Sequence, residues 1–273
     1  MTPRVSIIMA TYNCADTISD AVNSIIGQTY PYWELIICDD ASTDATLDII
    51  QSYKLRFPDQ IVIISNSINS KLSYSLNRCI DLARGEYVAR MDADDISAPT
   101  RLERQVQYLD QHVDVQAVGT YMQRFNDEGE HDIVKSPSDP DEKSLSHGVP
   151  FSHATIMMRK HGYSLLKYDT GNRTIRGQDY DLWFRFFASG FKGHNLSEPL
   201  YLVREDERAL RRRTAKTRFD SWRTAMIGMK SLGAPISWYL YPTLQLGKTI
   251  VPIWLIKKIR ASQARAARDE VAT

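Results

Sequence analysis

YVARMDADDIS, Tyr87 to Ser97, sets a short apolar run directly against Asp92, Asp94 and Asp95. The run reads as a strand that ends where the carboxylates begin. Two like charges about 4 Å apart repel by roughly 4 kcal/mol at the effective dielectric of a protein surface, so something must offset that cost. Three devices would do so: a solvated turn that lets the carboxylates splay, a helix N-terminus whose dipole favours anions, or a divalent cation.

Outward from this stretch, strands and helices alternate. Val5–Met9 is a β-branched run of strand length. Ile18, Ala21, Val22, Ile25 and Ile26 then mark one helical face, with Gly27 as its stop. ELIIC, Glu34 to Cys38, is the next strand and runs into Asp39 and Asp40. STDATLDIIQSY, from Ser42, opens with Thr and Asp capping candidates and predicts a helix. IVIIS, from Ile61, is a third strand. Leu72, Ser75, Leu76, Cys79, Ile80 and Ala83 make another helical face, ended by Gly85. This alternation predicts an α/β fold, a mostly parallel sheet flanked by helices. In such sheets ligands bind outside the carboxyl ends of the strands. TYN, CDDAS and DADD each follow such an end, so three polar clusters gather on one rim.

The chain has 273 residues, 43% hydrophobic and 25% charged, which allows one large domain or two small ones. A net charge of +1 argues against a nucleic-acid binder. Cys14, Cys38 and Cys79 form no C-x-x-C pair. Cys38 and Cys79 sit inside apolar patterns and read as small core residues, and the cysteine usage points to a reducing compartment. The opening MTPRVSIIMATYN reads as a strand, not a signal peptide. Further on, QAVGTYMQRFNDEGEHDIV reads as strands around an Asn-Asp-Glu-Gly turn, and SHATIMMRK as another strand. GQDYDLWFRFFASG predicts a helix whose aromatic face holds Tyr180, Trp183, Phe184 and Phe187, stopped by Gly190. Beyond about Arg204 the chain turns basic, then apolar and aromatic. The expected division is a domain over 1–205 and a basic, aromatic helical segment over 206–273.

With TYN, ELIICDDASTD, RGEYVARMDADD, PTRLERQ and QDYDLWFRF in this order, residues 3 to 200 resemble the family 2 glycosyltransferases of the GT-A fold. Each motif alone is weak, but the ordered set on the expected elements is specific. The resemblance implies a Rossmann-like nucleotide-binding half, a nucleotide-sugar donor, Mg²⁺ or Mn²⁺, and an inverting transfer. It implies that Asp40, with Asp39 nearby, meets the edge of a uracil-type base. Ala10, Thr11 and Tyr12 would lie along the nucleotide, with Tyr12 stacked on the base. Lys71 would approach the nucleotide or its diphosphate. Asp94 would be the direct metal ligand, with Asp92 close to the ribose or the metal and Asp95 an additional aspartate. Asp179 would be the catalytic base. There are departures. Gln178 stands where the family usually has Glu, NSINSKLSYSLN lacks a glycine often found there, and an acidic residue replaces the His of an Arg-x-His near LYLVRED.

The chemistry of the residues agrees with that resemblance. A cation held by one or two hard carboxylates, completed by phosphates and water, stabilises a departing diphosphate. The stretch alone does not choose between a metal site and a solvated, helix-capping turn before Pro99. CDDAS and QDYDLW together favour the metal. An acceptor hydroxyl needs a general base, and Asp179 and Asp181 are candidates. Asp181 reads better as a helix carboxylate paired with Arg185 at i, i+4. For Asp179, helix capping and catalysis can coexist. His153 would contact donor sugar or acceptor phosphate, or is structural. Trp183 would form a sugar platform, or is core.

Trp238, Tyr239, Tyr241 and Trp254 with Lys257, Lys258 and Arg260 suit an interfacial segment on an anionic membrane. Pro242, Gly247, Lys248 and Pro252 interrupt any span. The other reading is a helical cap on the domain or a dimer face. Arg211, Arg212 and Arg213 would face lipid phosphates or an acceptor's diphosphate, or form a solvated face. The expected activity is inverting, metal-dependent transfer from a UDP-sugar to a hydroxyl of a glycan or lipid-linked acceptor. It would serve cell-surface polysaccharide synthesis at the inner, cytoplasmic face of the membrane. A sugar nucleotidyltransferase would want a glycine-rich phosphate loop after the first strand, which MATYNCAD lacks. A dehydrogenase would want G-x-G-x-x-G after a strand. A degenerate domain acting as a membrane scaffold would not keep Asp92, Asp94 and Asp179.

Overall fold

The four apolar runs at the start of the chain pair in parallel. The computed structural model describes residues 2–126, 129–171, 174, 177–205 and 215–247. Strands β1 (Val5–Thr11), β2 (Trp33–Asp39), β3 (Ile61–Ser65) and β4 (Tyr87–Arg90) lie in the order β3-β2-β1-β4. Helices α1 (Ile18–Ile26), α2 (Thr46–Arg56) and α3 (Leu72–Leu82) connect them. The runs are largely apolar because successive side chains enter different cores; buried Ser6 and Glu34 are exceptions that hydrogen-bond to each other. Val5, Ile7, Met9, Leu35 and Ile37 pack with α1 on one face of the sheet. Ile8, Ile36 and Cys38 pack with Leu76, Cys79 and Ile80 of α3 on the other. Gly85 is required before β4, because a Cβ there would stand 2.7 Å from the Ser6 amide nitrogen.

After β4 the pairing changes. The remaining elements are β5 (Ile96–Ser97), α4 (Arg101–Gln111), β6 (Val115–Asn126), β7 (Gly129–Val134), β8 (Met157–Arg159), α5 (Lys160–Leu166), α6 (Gln178–Ala188), β9 (Lys192–Arg204), α7 (Ala215–Ser231) and α8 (Leu240–Gly247). The sheet continues β4-β8-β6-β9-β5, with β7 paired to β6. In this half only β6–β9 is parallel; β4–β8, β6–β8, β6–β7 and β5–β9 are antiparallel. The α/β class holds, and the parallel order belongs to the first four strands. SHATIMMRK forms a strand only over Met157–Arg159, because His153–Thr155 is a single 3₁₀ turn.

The aromatic helix is α6, and it is buried nearly all round: Leu182, Trp183, Phe184 and Phe186 are at most 2% exposed. Trp183 is fully buried and packs tilted against Phe151, ring centroids 4.1 Å apart, so it is core and not a sugar platform. Helix α7 seats on α6, placing Ala225 and Met229 in the same core. A Cβ at Gly228 would meet the Phe184 ring at 2.2 Å, so only glycine permits this approach. Trp238 and Tyr239 also pack on this core, which is the cap reading for this part of the tail. Ile236, Leu240 and Leu244 stay exposed. No helix among the described residues is long and apolar enough to cross a membrane. Arg211–Arg213, Lys248, Pro252, Trp254, Lys257, Lys258 and Arg260 lie outside the described residues.

Candidate active site

A cleft of about 530 Å³ opens at the carboxyl ends of β1 and β4. Ala10, Tyr12 and Asn13 form one wall, Asp92 to Asp95 with Arg90 the other, and Val203 and Arg204 of β9 an end. Of the three polar clusters expected on one rim, TYN and DADD meet in this cleft, whereas Asp39 and Asp40 of CDDAS lie on the rim outside its lining. The backbone of the rim is strained: Asn13, Ala41 and Lys71 hold φ of 51°, 61° and 75°, left-handed values that non-glycine residues rarely adopt.

The acidic loop does not cap a helix, since α4 begins only at Arg101. Arginines offset its repulsion. Arg90 ion-pairs with Asp92 at 2.9 Å. Burial opposes the charge on Arg90, but Asp92 and nearby tyrosines prevail and raise its pKa above the usual value. Arg204 donates its backbone N–H to Asp95 at 2.9 Å and its Nε–H to the Asp94 carbonyl at 3.1 Å. Arg101 lies beneath, fully buried, its guanidinium 4.9 Å from the Tyr201 ring centroid. Burial presses its pKa down to about 10. Asp95 is 3% exposed. Burial, then Asp92 and Asp94, push its pKa well above the ordinary carboxylate value. The expectation that a cation between Asp92 and Asp94 reconciles the charges is thus only part of the account. The protein supplies its own cations.

Whether these residues suit a metal follows from what each carboxylate already does. Asp94 is exposed at the cleft, and the Asp92 side chain keeps 30% of its surface. Asp95 is enclosed. Among the described residues no group of three or more His, Cys, Asp or Glu forms a metal cage. Two hard carboxylates without a cage fit an ion that takes its remaining ligands from phosphates and water.

Other predicted residues have internal work. Asp39 accepts from the Thr11 hydroxyl at 3.3 Å and the Ser42 amide at 3.1 Å. The Asp40 carboxylate accepts from Asn66 Nδ2, the Ser70 amide and the Lys71 amide at 2.6, 2.7 and 2.8 Å. It thereby latches the loop before α3, and a base edge would share or displace these donors. The Lys71 side chain is exposed. Tyr12 is 50% exposed, an aromatic face open to the cleft. Asp179 sits in the first turn of α6, half-buried, and accepts from the Tyr180 amide at 2.8 Å. It does not line this cleft. Beside it, buried Gln178 Oε1 has no hydrogen-bond partner among the described residues. Asp181 pairs with Arg185 at 2.9 Å, as its spacing predicts. His153 is buried, its Nε2 bonded to the Tyr168 hydroxyl at 2.8 Å. Burial, then Arg90, hold its pKa well below the usual value. It is a core histidine.

The family model of glycosyl transferase family 2 matches residues 6–178. The chain belongs to this family. Among curated proteins it is similar to glycosyltransferase EpsE of Bacillus subtilis, 44% identical over 251 residues, 92% of this chain and 90% of that protein. It is also similar to WfaP of Escherichia coli, named as a UDP-Glc:α-D-GlcNAc-diphosphoundecaprenol β-1,3-glucosyltransferase. There the identity is 31%, over 70% of this chain and 73% of the relative. Among solved structures, TarS 1–349 of S. aureus in complex with UDP superposes with a TM-score of 0.67. It is 19% identical and covers 92% of this chain and 71% of its own. The mannosyltransferase PcManGT of Pyrobaculum calidifontis, with GDP-Man and Mn²⁺, gives 0.65 at 20% identity, covering 98% and 76%. At these identities the two structures bear on the fold alone, which is the GT-A fold.

Within this family 2 domain, sequence reasoning missed Arg90, Arg101, Tyr201 and Arg204. Arg90 had a signal, a cation inside an apolar strand that ends at carboxylates. Tyr201 and Arg204 carried none, since they reach Asp92 and Asp95 from 109 residues further along the chain.

Proposed function

We propose that this enzyme moves a sugar from a UDP-sugar to a hydroxyl of a glycan or lipid-linked acceptor, with inversion, in cell-surface polysaccharide synthesis. The observation that carries this reading is the cleft at the strand ends, where Asp92 and Asp94 face Tyr12 across a rim closed by Arg204. EpsE and WfaP support the class of reaction, and the name of WfaP describes a lipid-diphosphate acceptor.

Tyr12 stacks on the base, and Ala10 and Thr11 lie along the nucleotide. Asp39 and Asp40 shape its pocket, and Lys71 meets it from the start of α3. Asp94 and Asp92 would hold Mg²⁺ or Mn²⁺, which when bound supplies Lewis-acid stabilisation of the diphosphate leaving group. A neighbour solved with Mn²⁺ is consistent with this. The acceptor oxygen attacks the anomeric carbon as the bond to the diphosphate breaks, and the diphosphate departs with the electron pair. Asp179 takes the hydroxyl proton. A retaining route needs an enzyme nucleophile on the opposite face of the sugar. Asp179 is the one carboxylate assigned to chemistry away from the metal pair, so a single in-line displacement is the economical mechanism.

Exposed Ile236, Leu240 and Leu244, followed by the apolar and basic stretch to Arg260, support peripheral attachment to the inner face of the cytoplasmic membrane. Calorimetric titration with a panel of sugar nucleotides, with and without Mn²⁺, tests the donor. One nucleotide sugar should bind in an EDTA-sensitive way, and binding indifferent to EDTA would sink the metal. An anomeric coupling constant that shows retention in the product would overturn the mechanism. The full chain should sediment with anionic liposomes at low salt, and failure to do so would leave the tail as a cap alone.

A further inference from the structure

The carboxylate loop is held at its first residue by one side chain that the reaction itself does not use. The Tyr201 hydroxyl accepts the backbone N–H of Asp92 at 3.1 Å. Asp95 in turn accepts the Arg204 amide, so β9 grips the loop at two successive points. Asp94 stands between these pins, and Thr17 holds the intervening turn by donating its hydroxyl to the Ala93 carbonyl at 3.1 Å.

Tyr201 is itself fixed from below. Its ring is fully buried against the Arg101 guanidinium. Arg101 gives its own donors to the Arg90 carbonyl at 2.8 Å and to Gln105 Oε1 at 3.1 Å. Gln105 is anchored on the Val118 and Thr155 carbonyls at 3.0 and 2.8 Å. A buried cation held by fixed carbonyl and amide oxygens cannot re-orient cheaply, and a planar guanidinium packs flat on an aromatic ring. The chain of contacts runs from α4, through Tyr201, to the backbone of Asp92.

We propose that Tyr201 is a positioning residue for cation and diphosphate binding. Its hydroxyl sets the backbone at Asp92, and Arg101 sets its ring. This rests on the reading of Asp92 and Asp94 as the metal pair. Asp95, enclosed and engaged by the Arg204 amide, then serves the loop's shape and is not a third metal ligand. Groups that orient metal-binding carboxylates typically matter by about 10- to 100-fold in metal affinity.

Tyr201→Phe keeps the ring on Arg101 and removes only the hydroxyl. Mn²⁺ binding is measured by the electron paramagnetic resonance of free Mn²⁺, with saturating UDP, alongside the thermal midpoint. Tyr87→Phe is the matched comparison: it loses a buried hydroxyl bonded to Asp110 at 2.5 Å, at the opposite end of β4. We expect Tyr201→Phe to weaken Mn²⁺ binding about 10-fold, with transfer activity recovered by excess Mn²⁺. Tyr87→Phe should lose thermal stability and bind Mn²⁺ as wild type does. Should Tyr201→Phe fail to fold, Arg101→Lys, which keeps the charge but not the flat face, is expected to show the same shift. Wild-type Mn²⁺ affinity in the folded variant overturns the proposal alone. A wild-type protein that takes up no Mn²⁺ with UDP overturns the metal reading and this proposal with it.

Discussion

The two carboxylate centres of this molecule are held by opposite means. Asp92 to Asp95 lie in a loop held by Arg90, by Tyr201 and Arg204 of β9, and by Thr17. Asp179 is held by the end of one helix, through the Tyr180 amide, and that helix is placed by aromatic packing. The first arrangement suits a site where charge gathers and must be accommodated before any ligand arrives. The second suits a single proton acceptor, whose position depends on how α6 is seated by Phe151, α7 and the residues around Trp183. A preorganised charge site tolerates little movement of its backbone, whereas a base at a helix end moves with the whole helix.

The sharpest way to separate the two is Asp179→Asn. It removes the proton acceptor and keeps a side-chain oxygen for the Tyr180 amide, so α6 should stay in place. Turnover should fall by at least about 10², the low end for losing a general base. Donor binding should persist, because Asp179 lies off the cleft. Near-normal turnover would remove Asp179 from the chemistry and return attention to Asp181. Asp94→Ala is the converse change. Asp94 is exposed, so the fold should survive with an unchanged thermal midpoint. Metal-dependent donor binding should weaken by about 10-fold or more. Calorimetry that finds the same EDTA-sensitive affinity in Asp94→Ala would place the metal elsewhere.

The same contrast explains what the sequence revealed. The parallel half was legible because strands buried on both faces are predominantly apolar, and Val5–Thr11 and Trp33–Asp39 are, apart from Ser6, Thr11, Glu34 and Asp39. The carboxylate loop was legible because like charges at a strand end demand a reason. α6 was legible from its aromatic spacing and from Gly190, which holds φ of 71°. The support beneath the loop was not. Arg101, Tyr201 and Asp92 meet across about a hundred residues, and no local pattern encodes such a meeting. Ala41 and Lys71 hold left-handed backbone without the glycine that would have marked it. The occupation of Asp40 by the 66–71 loop was hidden likewise, because two of its donors are backbone amides, which every sequence has.

The smallest expected effect concerns His153, which lies between the two centres. One edge of its ring faces Trp183 of α6 at 5.5 Å, its Nε2 meets the Tyr168 hydroxyl, and Arg90 lies near enough to repel its proton. Nδ1 has no hydrogen-bond partner among the described residues. Burial, and then Arg90, keep the folded-state pKa well below the unfolded value. The sign follows from proton counting. Below about pH 6.5 the unfolded chain takes up a proton at this histidine that the folded chain refuses, so stability falls as pH falls. Between pH 7.5 and pH 5.5 the loss owed to His153 should be at most about 1.4 kcal/mol, the limit for a histidine that stays neutral throughout in the folded state. Urea unfolding at the two pH values, wild type against His153→Gln, isolates it from the other histidines. The variant should start less stable at pH 7.5 and lose up to that much less on acidification. Equal losses in the two proteins would mean that the fold accepts the proton beside Arg90. The Arg90–Asp92 pair would then feel a second cation, and the carboxylate loop and α6 would share a titrating group instead of standing apart.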